Sequence, residues 1–253
     1  MNKDTIRQIA VILSLAVMIG VNALANALPL NGQTSGEISD RFQVYFVPAG
    51  YAFSIWGLIY LLLIGYAIFQ ALPAQRENPR LREIGFLFVL SCLMNIAWLF
   101  LWHYEFFVLT LVAMLALLGL LILIYLRLGI GRGEAPANER WLVHLPFSVY
   151  LGWISVATIA NFTSVLDYLN WGGWGISPEV WAAIMLAVGV VLGIKMALSR
   201  RDVAYLLVLV WAYVGIATKQ ADTALVSVSA WIGAAVLLGL AALSAYLLIK
   251  DKK

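Results

Sequence analysis

The chain is poor in the residues that most enzymes use. It has one cysteine, Cys92, two histidines and a charged fraction of only 11% over 253 residues. A single cysteine excludes an intrachain disulfide and a cysteine-built metal cluster. His103 and His144 stand in no metal-binding spacing. Each sits near a helix end, where a solvated interfacial role is the ordinary one. Haem ligation is the alternative, or a proton-coupled role for His103 beside Glu105. The sequence has no glycine-rich phosphate loop, no Ser-His-Asp arrangement and no clustered carboxylates suited to acid–base work, so no catalytic residue is assigned.

What is abundant is apolar side chain: 63% of residues are hydrophobic, and mean hydropathy is +0.93. A soluble domain of this length cannot hide so much apolar surface, so lipid is the expected solvent. In lipid the backbone must satisfy its own hydrogen bonds, which leaves helices or a closed barrel. Barrel strands alternate apolar and polar residues, whereas these runs are continuously apolar. The expected fold class is an all-α integral membrane protein.

Eight runs fit the span length of about 20 residues that a bilayer demands. They cover residues 6–28, 48–72, 84–103, 107–127, 141–166, 180–199, 203–219 and 224–249, the seventh being short and the eighth long. Lys3 and Arg7, the run Ile9–Gly20 and Ala23-Leu24-Ala25 also fit a secretory signal peptide. The apolar stretch continues to Leu28, long enough to span, and is read as the first helix. With both termini inside, fourteen of the sixteen Lys and Arg residues fall on the inner side, leaving Arg41 and Lys219 outside. That is the asymmetry of the positive-inside rule, and the even span count supports it. The net charge of +3 therefore needs no nucleic-acid partner. A prokaryotic plasma membrane, with both termini cytoplasmic, is the simplest location.

Polar groups deep in a membrane are costly and call for a role. At about 1.5 Å per residue, Trp56 lies roughly 12 Å below the outer end of the second span. Asn22 and Asn26, Asn95 and Trp98, and Asn161 fall in the same outer half, with Trp153 nearer mid-membrane. Phe53, Trp56 and Tyr60 are spaced i, i+3, i+7, as are Asn95, Trp98 and Trp102; Trp153, Ala157 and Asn161 are spaced i, i+4, i+8. Each set lies on one helix face. Two readings fit: an apolar pocket with a few hydrogen-bonding groups, or interhelical packing with amides as glue. Trp141, Trp171, Trp174 and Trp181, near span ends, read as interfacial belt residues. Gly189-Val190-Val191-Leu192-Gly193 is a GxxxG contact motif, weak support for an oligomer. The sequon Asn161-Phe162-Thr163 falls inside a span and is discounted.

Three segments carry a family resemblance. Val47-Pro48-Ala49-Gly50-Tyr51-Ala52-Phe53-Ser54-Ile55-Trp56-Gly57-Leu58-Ile59-Tyr60 resembles the opening of the second helix in the translocator protein family, also called tryptophan-rich sensory proteins or peripheral benzodiazepine receptors. Leu93-Met94-Asn95-Ile96-Ala97-Trp98-Leu99-Phe100 is similar to that family's third helix, and Tyr150–Phe162 to its fifth. The resemblance covers about residues 6–170, with Ala49, Ile96 and Pro146 departing from the usual pattern. It implies a five-helix bundle over residues 1–170 and a three-helix extension over 171–253. It also implies a pocket under a lid at residues 29–47, lined by Tyr51, Phe53, Trp56, Asn95, Trp98, Trp153 and Asn161.

The ligand so implied is a planar hydrophobic molecule, a porphyrin or haem-type tetrapyrrole or a sterol-like lipid, bound for sensing or transport, with dimerisation common. The three later helices have no counterpart in short members. They are read as a second lobe, an oligomer surface or part of a transport path. The alternatives are a secondary transporter using all eight helices and a membrane enzyme acting on tetrapyrroles.

Overall fold

The computed structural model describes residues 2–28 and 30–251, so Pro29 of the expected lid and the Asn26 side chain lie outside the described residues. The α-helices are α1 (Lys3–Ala27), α2 (Ser35–Asp40), α3 (Ile55–Ala71), α4 (Pro79–His103), α5 (Phe107–Arg127), α6 (Ala137–Glu139), α7 (Leu145–Tyr168), α8 (Pro178–Arg200), α9 (Val203–Lys219) and α10 (Ala224–Lys250). Among the described residues there is no strand. Seven helical stretches are long and apolar enough to cross a membrane, and Val203–Lys219 is a shorter apolar helix. At 17 residues, α9 runs about 25 Å, short of the ~30 Å hydrocarbon core.

Local chemistry sets the boundaries. Asn78 caps α4 by accepting from the Arg80 and Leu81 amides at 3.0 and 3.4 Å. Pro79 takes the first helical position, where its missing N–H costs nothing. Ser177 and Pro178 open α8 in the same way. The Asp202 carboxylate accepts from the Tyr205 amide at 3.1 Å and starts α9 directly after Arg201, a left-handed residue that closes α8.

Two of the expected spans differ at their entrances. Gly50–Ser54 is a 3-10 turn, and the α-helix begins only at Ile55. The expected continuous face Phe53–Trp56–Tyr60 is therefore broken. Phe53 lies in the turn, whereas Trp56 and Tyr60 lie on the helix. The fifth span starts as a π-helical turn, Arg140–His144, a rare geometry that widens the backbone before α7.

The chain forms two compact units: residues up to Arg41 together with Trp56–Leu151, and Phe42–Ile55 together with Gly152 onward. The boundary expected after residue 170 followed the end of the resemblance read from the sequence. The packing units follow a different line, which passes through α7 at Leu151 and Gly152.

In the first unit α4 packs against α1, α2 and α5. Tyr66, Phe88 and Phe147, all buried, join α3, α4 and α7 edge to face, with ring centroids 5.0–5.8 Å apart. Lipid tails are as apolar as these rings, so close packing rather than water exclusion holds them together. Gln8 and Gln70 tie α1 to the end of α3: each side-chain amide donates to the other residue's carbonyl, at 2.6 and 3.2 Å.

In the second unit α8, α9 and α10 pack on one another. The Gly189–Gly193 motif faces inward here. A Cβ on Gly189 would collide with the Tyr213 hydroxyl, and one on Gly193 with Leu237. The motif is thus used inside the chain and lends no support to an oligomer. Gly152 lets α7 approach α9, where a Cβ would stand 3.1 Å from Val208 and 3.3 Å from the Tyr205 carbonyl.

Candidate functional site

The predicted residues fall into two groups. Trp56, Asn95 and Trp98 belong to the first unit, and Tyr51, Phe53, Trp153 and Asn161 to the second.

In the first unit a buried relay crosses three helices. The Asn22 amide donates to Asn95 Oδ1 at 2.9 Å, and Asn95 Nδ2 donates to the Tyr150 hydroxyl at 3.1 Å. Asn22 also donates to the Met18 carbonyl at 2.9 Å. Asn95 is 2% exposed and Tyr150 fully buried. The Asn95 amide thus does the work of interhelical glue, the packing role set beside the pocket role for it. Trp56 lies beside this relay, half-buried. It stacks on Tyr60 at 5.5 Å and 26°, and meets Tyr150 edge-on at 5.9 Å.

Trp98 lies one turn beyond Asn95 on α4 and stacks on Trp102 at 5.5 Å and 17°. The two indole N–H groups have different fates. Trp102 Nε1 donates to the Ser35 carbonyl at 3.2 Å, whereas Trp98 Nε1 is buried without a partner. An unmet buried donor costs about 1–3 kcal/mol, so it marks a place where an acceptor is wanted.

His103 was expected as a solvated rim group or a haem ligand, and the structure corrects the first reading and weakens the second. It is fully buried at the end of α4, with Nδ1 2.9 Å from the Leu99 carbonyl and Nε2 3.5 Å from the Ser35 hydroxyl. Both ring nitrogens face protein groups. The imidazole forms part of a clasp that holds the lid. Asn31 donates to the His103 carbonyl at 3.0 Å. Arg41 pairs with Glu105 at 2.9 Å and lies 5.8 Å over the Phe107 ring.

Inside the lid, Thr34 and Glu37 form a capping box that starts α2. The Thr34 amide and hydroxyl donate to the Glu37 carboxylate at 2.7 and 2.9 Å and hold its pKa below the usual carboxylate value. A depressed carboxylate contributes stability above its unfolded pKa and loses it as pH falls through the folded one. The protection factors of the lid amides of residues 34–41, taken relative to intrinsic exchange at each pH, are therefore expected to fall as pH drops through the carboxylate range. Glu37→Ala should show the low protection already at neutral pH. Equal exchange in both proteins across that range would contradict the cap's role.

In the second unit, Phe53 meets Trp153 edge-on at 5.9 Å, Trp153 being 2% exposed. Asn161, 4% exposed, lies two turns along the same face of α7. Tyr51 is 44% exposed and packs edge-on against Trp211 at 5.4 Å. Trp211 was absent from the expected set. Its indole donates to the Ala52 carbonyl at 2.9 Å, and the Ala49 amide donates to the Gly215 carbonyl at 3.0 Å. Helix α9 thus grips the motif at residues 48–54 through its backbone. The rest of the lid docks nearby: the Gln43 amide donates to Asp167 at 3.2 Å, and the Tyr45 hydroxyl to Glu179 at 3.0 Å, which raises the Tyr45 pKa.

Of the expected belt residues, Trp171, Trp174 and Trp181 form one cluster with centroids 5.1–5.9 Å apart. Trp171 and Trp174 come from a defined turn, with Asn170, Gly173, Trp174 and Gly175 at positive φ, and Trp181 joins them from α8. A polar recess of about 520 Å³ in the first unit is lined by Gln75, Asn78, Arg80, Asn138 and Glu139 among others, and by none of the predicted aromatic residues.

Helical spans with exposed apolar surfaces define a multi-pass membrane protein with buried aromatic–amide faces. The match of residues 8–243 to the family model described as TSPO-like protein makes the chain a member of that family. The match takes in α8, α9 and most of α10, so the later helices belong to the family pattern. Membership points to sensing or binding of small hydrophobic molecules at the membrane. Comparison with curated proteins and with solved structures found no match.

Proposed function

We propose that this protein binds a planar hydrophobic molecule, a porphyrin or haem-type tetrapyrrole, on the first unit's face of Trp56, Tyr60 and Trp98. The observation that carries this reading is the buried, partnerless Trp98 Nε1 on a ring stacked with Trp102, with the Trp56–Tyr60 stack in the same unit. Flat rings offer their faces to a flat ligand, and the indole N–H donates to an acidic group at its edge. Tyr51, Phe53, Trp153 and Asn161 form a second aromatic face within their own unit. The membrane is a prokaryotic plasma membrane with both termini inside, on the argument of charge asymmetry.

Titration of the purified protein with protoporphyrin should shift the Soret band from its position for the free pigment. Trp98→Phe keeps the ring and removes the N–H, so affinity should fall about tenfold, the equivalent of one hydrogen bond to a charged group. Trp56→Leu should weaken binding as well, through lost stacking. Unchanged affinity in both variants would contradict the reading. Saturation by a sterol but not by porphyrin would move the ligand to the lipid class.

A further inference from the structure

A second polar site lies where α1 and α4 begin, away from the aromatic face and independent of its ligand. Arg7 is 2% exposed, although arginine near a span end ordinarily reaches for water. Its stem lies against Gly85 of α4, where a Cβ would stand 2.6 Å from both Cγ and Cδ. Only glycine at that position leaves room for the arginine, so the burial is built into the helix contact. One guanidinium nitrogen, Nη2, donates to the Arg76 carbonyl at 2.9 Å. The other two, Nε and Nη1, are buried with no hydrogen-bond partner.

The nearest acid does not serve them. Both Asp4 oxygens are held by Arg82, at 2.8 and 2.7 Å, and Asp4 stays 3.7 Å from Arg7 Nη1. Arg82 also reaches the exposed Glu77 at 4.0 Å, so Asp4 meets Arg7 only as a loose ion pair and the buried guanidinium is left without a direct acceptor at Nε and Nη1. A third donor is close. Tyr66 is fully buried and its hydroxyl has no partner. Its ring packs on Phe88, one turn along α4 from Gly85, so both side chains meet the same helix face.

Buried charges are paired or they are costly, and three donors with no acceptor call for an anion. We infer that Arg7 Nε and Nη1 and the Tyr66 hydroxyl hold a small inorganic anion of the halide class. A water molecule accepts from at most two of the three donors and would leave one unmet. A lipid phosphate needs an opening to the membrane surface, and a guanidinium 2% exposed has none. The bound ion joins α1 to α3 and acts as a structural counterion.

The test is thermal unfolding of the purified protein in sodium chloride and in sodium gluconate at equal ionic strength. Mass action predicts a midpoint higher by a few degrees at ~100 mM chloride, with bromide able to replace it. Tyr66→Phe removes a buried hydroxyl, so in gluconate it should be as stable as the parent or more so, while the chloride increment shrinks. Equal midpoints in the two salts, or a full increment in Tyr66→Phe, would overturn the site. Crystals grown in bromide give a reading that needs no variant. An anomalous peak within hydrogen-bond distance of Arg7 Nε and Tyr66 Oη supports the inference; water density alone at that place overturns it.

Discussion

Replacing Gly215 with valine is expected to destabilise the protein by about 3 kcal/mol, the upper end for overpacking a close contact. A Cβ at residue 215 would stand 2.9 Å from Pro48 Cβ and 3.0 Å from Ala52 Cβ. Neither atom belongs to a flexible side chain that can swing aside. Proline is locked in its ring, and alanine has nothing to rotate. The clash therefore moves backbone, and it pulls on the Ala49 amide to Gly215 carbonyl bond at 3.0 Å. The neighbouring bond from Trp211 to the Ala52 carbonyl is strained with it. Denaturant or thermal unfolding in detergent measures the loss, with Gly239→Val as the control because nothing lies within 4 Å of a Cβ there. Equal stability of the two variants would contradict the tight seat of α9 on the 48–54 motif.

Asn95→Leu should cost roughly 1–3 kcal/mol, because it strands polar groups that cannot reach water. Leucine keeps the branching but is bulkier, so no cavity is left and overpacking adds to the loss of the hydrogen bonds. The Asn22 amide loses one of its acceptors and the Tyr150 hydroxyl loses its donor. Interhelical bonds in membranes often measure below their nominal worth, since the unfolded chain finds other partners. A double-mutant cycle with Tyr150→Phe separates the relay from general packing. Coupling of about 0.5–2 kcal/mol is expected if Asn95 and Tyr150 act as one network. Additive effects would mean that the bond contributes nothing.

The membrane spans were legible because composition and run length report them directly. The runs at 107–127 and 203–219 coincide with α5 and α9. The entrance to the second span was not, since Gly50–Ser54 is apolar and aromatic like the helix that follows it. Nothing in hydropathy separates a 3-10 turn from an α-helix, and the change of pitch set Phe53 apart from Trp56 and Tyr60.

The burial of His103 depended on lid residues some 70 positions away, Asn31 and Ser35, which no periodicity connects to it. Tyr150 was in view as part of a motif, but its partner Asn95 gave no sign of which hydroxyl it would meet. The GxxxG motif at Gly189 and Gly193 is a true contact signal whose partner, inside the chain or outside it, spacing cannot name. Trp211 and Gly215 lay beyond the resemblance, which ended near residue 170, whereas the family match reaches residue 243.

The Trp98 indole N–H is buried without an acceptor, and the proposed ligand would supply one. The most direct test of this is the ¹⁵N-edited spectrum of tryptophan-labelled protein during titration with protoporphyrin, with Trp98→Phe to assign the signal. The account predicts that the Trp98 Nε1–H resonance moves downfield as it gains an acceptor, while exposed Trp141 and Trp174 stay still. A saturable titration that leaves Trp98 in place and shifts only those exposed rings would contradict it.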